Sequence, residues 1–485
     1  MRGFPFWILV FVLVFSPLPF ASVGAIWPQL YGVLLGFGLV AHVAQRWRAN
    51  RGIPPLPKLP LAAGLLVFVV VLWGYAQSVP GLLPSLHHPF WSQAAALLEL
   101  PDMQGYLSLD PQQSFQVATR YLVYLSFALL VLWYARCQRN AELLLKIFVA
   151  AQGAYAVYGL AIYFSSLETI LWFDKTAYRG VLTSTFVNRN SYATYAGLGV
   201  LTALALTLRF LRRTLSRDTS HRTKLRELIE VLTTTGWLLP VILVACFVAI
   251  LLTESRMGLI ACMIASAVLV GGWVSRLPAG QARTFGSLLL VVLLSFLAFN
   301  LLLSGGMTAD RLARFFEQGD GRFDVYPLVW QAISERPWTG YGLGAFESAF
   351  RAFRDASVGA FFTRAHSDYL ELIMDVGWPA ALAMFSAFIL LLAAAWRASR
   401  MRGELELALL SVAATVQIGV HSVVDFSMQM PAVVLAYLAV ALAGLGYPKG
   451  ASASRSAPAM SLASNGGLLK QLADSPGRTM QLQRS

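Results

Sequence analysis

The chain has 485 residues, of which 57% are hydrophobic and 13% charged, and it carries a formal net charge of +13. That composition excludes an ordinary soluble globular protein and points to a polytopic membrane protein. The basic residues sit in short runs beside apolar segments and not in a nucleic-acid-binding fold, so membrane lipids are expected partners and nucleic acid is not.

About 20 apolar residues cross the hydrocarbon core of a bilayer. Windows of that kind centre on residues 5–21, 23–44, 60–78, 117–135, 144–164, 191–209, 233–253, 257–275, 285–304, 377–396, 404–424 and 430–447, which predicts an all-α protein with about twelve spans. The first window has a rival reading as a cleaved signal peptide, on Arg2 and Phe20-Ala21-Ser22, although the second window follows almost at once. Basic residues follow every even-numbered span: Arg46, Arg48, Arg51 and Lys58; Arg136 and Arg139; the run from Arg209 to Arg226; Arg276 and Arg283; Arg397, Arg400 and Arg402. The stretch from Pro80 to Gln116 has no lysine or arginine. The positive-inside rule then places both termini in the cytoplasm and the polar stretch after residue 304 outside.

The expected organisation is nine transmembrane helices over 1–304, an extracytoplasmic loop with amphipathic helices over 305–371, and three more spans over 372–448. A Ser-, Ala- and Gly-rich cytoplasmic tail, read as disordered, follows over 449–485. Cys137 falls at a cytoplasmic end and Cys246 and Cys262 fall inside spans, so no exported disulfide is expected. No Cys/His cluster has metal-ligand spacing, and neither metal nor cofactor is expected. The two halves lack the matching Gly/Pro-broken spans of an inverted-repeat transporter.

Four stretches carry polar chemistry. In Thr185-Phe186-Val187-Asn188-Arg189-Asn190-Ser191, at the mouth of span six, Asn188, Arg189 and Asn190 read either as sugar or phosphate contacts or as a cap and interface anchor. The turn Thr253-Glu254-Ser255-Arg256-Met257-Gly258 holds Arg256 beside the apolar core, where a charge is costly enough to suggest function; the alternative is a snorkelling arginine paired with Glu254.

The loop is the third stretch. Seven arginines and no lysine lie between Asp310 and His366, and the guanidinium fork suits phosphate oxygens better than an ammonium does. Val325, Leu328, Val329, Ala332 and Ile333 recur at helical spacing behind Asp324, which puts Arg322 just before a short helix and beside its positive dipole end. Gly340-Tyr341-Gly342-Leu343-Gly344 reads as a turn, since no βαβ unit surrounds it. Phe346, Phe350 and Phe353 share a face, as expected of a helix lying in the membrane interface. His366, followed by Asp368, closes the loop, and it reads either as an acid–base group or as an interfacial cap. The fourth stretch pairs His421 with Asp425 at i and i+4, a spacing that puts them on one helix face with the carboxylate able to orient the imidazole.

Together, FVNRNSYA, SRMG, R-x₇-W-x₆-P-x₂-G-x-G-x-G-x-F, AHSDYLELIMDVG and VHSVVDFSMQMP resemble the O-antigen ligase and Wzy-type polymerase superfamily, over roughly residues 180–445. The resemblance implies a GT-C-like glycosyltransferase of the bacterial inner membrane, with its active site facing the periplasm. It would move a glycan from undecaprenyl diphosphate to a lipid-linked or lipid A-core saccharide acceptor, in an inverting reaction without metal. Carried over by position, the family's catalytic histidine falls on His366, and its phosphate-binding arginines fall on Arg256 and Arg322. Asn188, Arg189 and Asn190 are expected at the substrate, with Asp368, His421 and Asp425 behind the catalytic group. Ser367 stands where the family often has asparagine, so no amide role carries over. A twelve-span transporter and a non-catalytic polysaccharide-export subunit are the alternative readings.

Overall fold

The computed structural model describes residues 3–215, 237–277, 280, 284, 322–355, 358, 362–401 and 405–446. The expected ninth span at 285–304, the loop residues before Arg322, the arginines after Leu215 and the tail all lie outside the described residues. So do the side chains of Arg213 and Arg322.

Each of the other eleven apolar windows forms a helix. These are α1 (Phe4–Phe15), α2 (Ile26–Arg48), α3 (Lys58–Gln77), α5 (Pro111–Ala135), α6 (Gln138–Phe164), α7 (Arg189–Leu215), α8 (Leu238–Leu252), α9 (Arg256–Val274), α12 (Asp368–Ser399), α13 (Leu405–His421) and α14 (Pro431–Ala443). Seven of them, α2, α3, α5, α6, α7, α9 and α12, are long and apolar enough to cross a membrane, while α1, α8, α13 and α14 are shorter. The protein is an all-α polytopic membrane protein. Outside the spans lie α4 (Pro89–Leu97), α10 (Arg322–Glu335) and α11 (Phe346–Phe350), with a two-residue antiparallel ribbon of β1 (Thr169–Ile170) and β2 (Phe173–Asp174).

The helix ends follow their capping chemistry. Asp110 accepts from Gln113 N–H at 3.0 Å ahead of Pro111 in the first turn of α5. Asn188 Oδ1 accepts from Asn190 and Ser191 N–H at 2.7 and 3.2 Å ahead of α7. Ser255 Oγ takes Gly258 N–H at the head of α9. Each carries an oxygen that satisfies an orphan amide of the first turn.

The described residues form two apolar cores. The larger joins α1, α2, α5–α9, α13 and α14, with α14 almost wholly buried. The second lies between α3, the start of α5, α10, the 341–350 segment and the first turns of α12. It is what holds the polar loop in place. Phe346 and Phe350 are 0% and 2% exposed and stack at 5.1 Å. The expectation that they face a membrane interface is therefore corrected: shared periodicity shows that they lie on one face, and that face is buried in the second core.

α12 is broken at Gly377, where φ is +74°, one residue before Trp378-Pro379. Proline cannot donate its own amide, and the break frees the carbonyls of the preceding turn. The glycine-rich turn takes them up. Tyr341 and Gly342 N–H donate to Met374 and Asp375 carbonyls at 3.0 and 2.8 Å, and Trp378 N–H returns to Pro337 O at 2.8 Å. From α3, Trp73 Nε1 donates to Val376 O and Gln77 Nε2 donates to Thr339 O, at 3.0 and 2.8 Å. A Cβ on Gly340 would stand 2.4 Å from Asp375 O, and one on Gly377 would stand 2.4 Å from Trp338 O. Only glycine permits this approach.

Candidate active site

His366 sits at the junction of the loop and α12. Its φ of +55° is the left-handed conformation, uncommon for a residue with a side chain and persistent only where the surroundings over-determine it. Those surroundings are visible on both sides. Tyr326 of α10 donates its hydroxyl to His366 O at 2.9 Å. Ala365 N–H donates to Glu371 Oε2 at 3.0 Å, and Asp368 N–H is shared between Ser422 O and Asp425 O at 3.0 and 3.1 Å. The imidazole meets Phe362 and Phe426 edge-on, with ring centres 5.7 and 4.9 Å away.

Asp368 heads α12, and its carboxylate accepts from the Ser422 hydroxyl at 2.8 Å and from Met428 N–H at 3.2 Å. The α13–α14 turn is therefore stitched to the residue two positions after His366. Ser367 Oγ reaches Leu370 N–H at 3.5 Å, a weak cap.

His421 ends α13, so Asp425 lies beyond the helix. The shared helix face expected from the i, i+4 spacing does not form. Asp425 Oδ1 instead accepts its neighbour Phe426 N–H at 2.7 Å, a local bond that competes with helix continuation. His421 Nδ1 lies 2.8 Å from Thr194 Oγ1 and 3.1 Å from Ser427 Oγ. That contact ties the turn to α7 one helical turn below Asn190.

The mouth of α7 adjoins the head of α9. Asn188 and Asn190 are buried, while Arg189 lies over the Tyr178 ring at 5.6 Å and reaches Glu254 at 3.6 Å. Arg256 opens α9 and is exposed. A Cβ on Gly258 would meet Ala193 at 2.6 Å, which measures how tightly the two helix heads are pressed together. Arg322 opens α10 one turn before Tyr326, the residue that holds the His366 carbonyl. The structure thus links Asp368, two residues from His366, to the Ser422–Ser427 turn, that turn to His421 through Ser427, and His421 through Thr194 to Asn190 O. Arg256 stands beside the last of these.

Four other loop arginines have protein partners. Arg364 pairs with Glu371 at 2.9 Å; burial works against its charge, but the carboxylate more than offsets this and raises its pKa. Arg351 pairs with Glu347, and Arg354 donates to Val358 O. Arg336 donates to the carbonyls of Leu86, His87 and Gly340 and so staples the 80–105 segment to the loop. The arginine surplus of the loop is in part structural.

Sequence reasoning missed Asp375 and Gln77. Asp375 Oδ2 accepts Gly344 N–H at 2.7 Å, and Gln77 Oε1 accepts Leu343 N–H at 2.9 Å, which fixes the glycine turn. The available signal was a carboxylate in an apolar helix two residues before a Gly-Trp-Pro break.

A cavity of about 870 Å³ opens between α3, α5, α12, α13 and α14. Leu65, Phe68, Leu125, Phe388 and Leu392 are among its walls, and Asp368, Ser422 and Gln429 also line it. An apolar cleft thus runs into the carboxylate beside His366.

Residues 241–385 match the family model described as O-antigen ligase (Wzy_C). That match supports assignment to the O-antigen ligase and polymerase superfamily. It takes in Arg256, Arg322, His366 and Asp368, and leaves the Asn188–Asn190 turn and His421 outside. No curated protein matches the chain. The O-antigen ligase match implies a glycosyltransferase-like enzyme of polysaccharide assembly, with a lipid-linked glycan and an acceptor as its general partners.

Proposed function

We propose that the protein transfers a glycan from undecaprenyl diphosphate to an acceptor sugar at the periplasmic side of the bacterial inner membrane, as a ligase onto lipid A-core saccharide or as a polymerase onto a lipid-linked chain. The observation that carries this reading is an apolar cleft that reaches Asp368, two residues from the pinned His366, since the substrate class has an apolar tail joined to a polar reacting head.

In the reaction, His366 accepts the proton of the acceptor hydroxyl as that oxygen attacks the anomeric carbon. The bond to the diphosphate breaks, and Arg256 and Arg322 stabilise the charge that develops on the leaving group. One displacement inverts the anomeric centre. Asn188, Arg189 and Asn190 contact the saccharide or phosphate. Asp368 and Asp425 hold the backbone around His366, and His421 holds the turn that carries them.

The test is transfer in lipid nanodiscs supplied with undecaprenyl-diphosphate glycan and acceptor, with the product linkage read by NMR. Inverted product that persists in excess chelator supports the reading. Retained configuration, or activity restored by Mg²⁺ after chelation, overturns the mechanism. A deletion strain separates the two acceptors: single repeat units left on the core indicate a polymerase, and bare core indicates a ligase.

A further inference from the structure

At the far end of α5 from the glycine turn lies a second cavity of about 470 Å³, between the end of α2, the 52–55 segment and the α5–α6 turn. α5 has 25 residues, so at 1.5 Å per residue its two ends stand about 37 Å apart, on the order of a bilayer thickness.

Among the described residues, Arg46 and Arg136 line it and no carboxylate does. Each guanidinium donates one N–H to the backbone, Arg46 Nε to Gly52 O at 2.8 Å and Arg136 to Pro55 O, and neither has a carboxylate partner among the described residues. Those bonds hold the two cations in place with the rest of each fork uncommitted to an ion pair. His42, 9% exposed, also lines the cavity. Its ring stacks on Trp133 at 5.0 Å and its Nδ1 meets Tyr134 Oη at 3.3 Å, while its buried Nε2 has no hydrogen-bond partner among the described residues. A buried ring nitrogen without a partner beside two unbalanced guanidiniums is an arrangement that an anion completes.

We propose that this cavity binds a phosphate-bearing anion, and that its source is the headgroup of an anionic phospholipid. α2 and α5 are both candidate spans, and the cavity lies at their ends, the level at which basic pockets between membrane helices meet lipid phosphates. Phosphate oxygens accept from Arg46 and Arg136. The unpartnered Nε2 of His42 supplies a third polar contact.

The experiment is native mass spectrometry of the full chain released from nanodiscs of phosphatidylglycerol and phosphatidylcholine, alongside thermal unfolding with added inorganic phosphate. Wild type should retain phosphatidylglycerol in preference to phosphatidylcholine. Arg46→Gln/Arg136→Gln should retain it at least tenfold less, because both charge-assisted contacts to the phosphate are lost. Ile53→Glu, an exposed substitution that leaves both arginine–backbone bonds intact, should cause a comparable loss by placing a like charge in the cavity. It keeps the test decisive if the double variant fails to fold. Stabilisation by inorganic phosphate in wild type alone, without lipid retention, supports the anion site and assigns it to free phosphate. Equal retention and equal phosphate response in wild type and Ile53→Glu overturn the proposal.

Discussion

The imidazole of His366 packs edge-on against Phe426, whose neighbour Asp425 accepts the N–H of Asp368. One turn between α13 and α14 therefore walls the ring and also pins the backbone beside it. If His366 is the base, His366→Ala should lower turnover by on the order of 10²–10⁴ with donor affinity little changed. Phe426→Ala should cost on the order of tenfold to a hundredfold, because it loosens the ring without removing it. Single-turnover kinetics on folded, membrane-inserted protein check both, and near-wild-type transfer by His366→Ala would remove the assignment.

Arg256 should behave differently. If Arg256 contacts the diphosphate as proposed, Arg256→Ala should lower both donor affinity and turnover, since that contact would be made before and during departure. Arg256→Lys should recover only part of the loss, because an ammonium lacks the bidentate fork. Donor titration by tryptophan fluorescence together with initial rates separates the two effects; full rescue by lysine would argue for a simple charge requirement.

Gly340→Ala should be far more damaging than Gly180→Ala. Both glycines have positive φ, but a Cβ at Gly340 strikes a backbone carbonyl at 2.4 Å, whereas at Gly180 nothing lies within 4 Å. The Gly180 change should cost about 1 kcal/mol of conformational strain, and the Gly340 change at least twice that, with the glycine turn displaced from α12. Melting temperatures in detergent provide the comparison.

His88 should make the 80–105 segment sensitive to acid. Burial, with Arg336 nearby, pushes its pKa down to about 4, and its Nδ1 accepts Phe90 N–H, which requires that nitrogen to be unprotonated. The folded value lies below the unfolded value near 6.5, so this contribution is fully present above about pH 6.5 and is lost as pH falls toward 4. Limited proteolysis across that range should show the segment opening at the acid end. His88→Asn, which can still cap, should flatten the response.

The apolar windows made most of the helices legible, because a span announces itself by length and hydropathy alone. The turn between α8 and α9 and the glycine turn were also readable from their residues. The functional pattern around them was harder to place. The His421–Asp425 spacing assumed a helix that stops at His421, where a local carboxylate–amide bond takes over. The phenylalanine stripe gave a shared face and said nothing of the second core in which that face is buried. Asp375 and Gln77 escaped notice because their role depends on carbonyls freed by the Gly377 break, and a sequence does not display which backbone groups have lost their partners.

The break at Gly377 also works as a ruler. From Asp368 to Val376 the first part of α12 is a strut of about 13 Å at 1.5 Å per residue, clamped by α3 and the glycine turn at one end and by the α13–α14 turn at the other. With both ends fixed, His366 keeps a set height above the break, so in the proposed reaction it is the substrates and not the histidine that move between turnovers. Amide exchange should then stay slow throughout 368–377 whether or not donor is bound; fast exchange there in the free protein would mean that the strut bends.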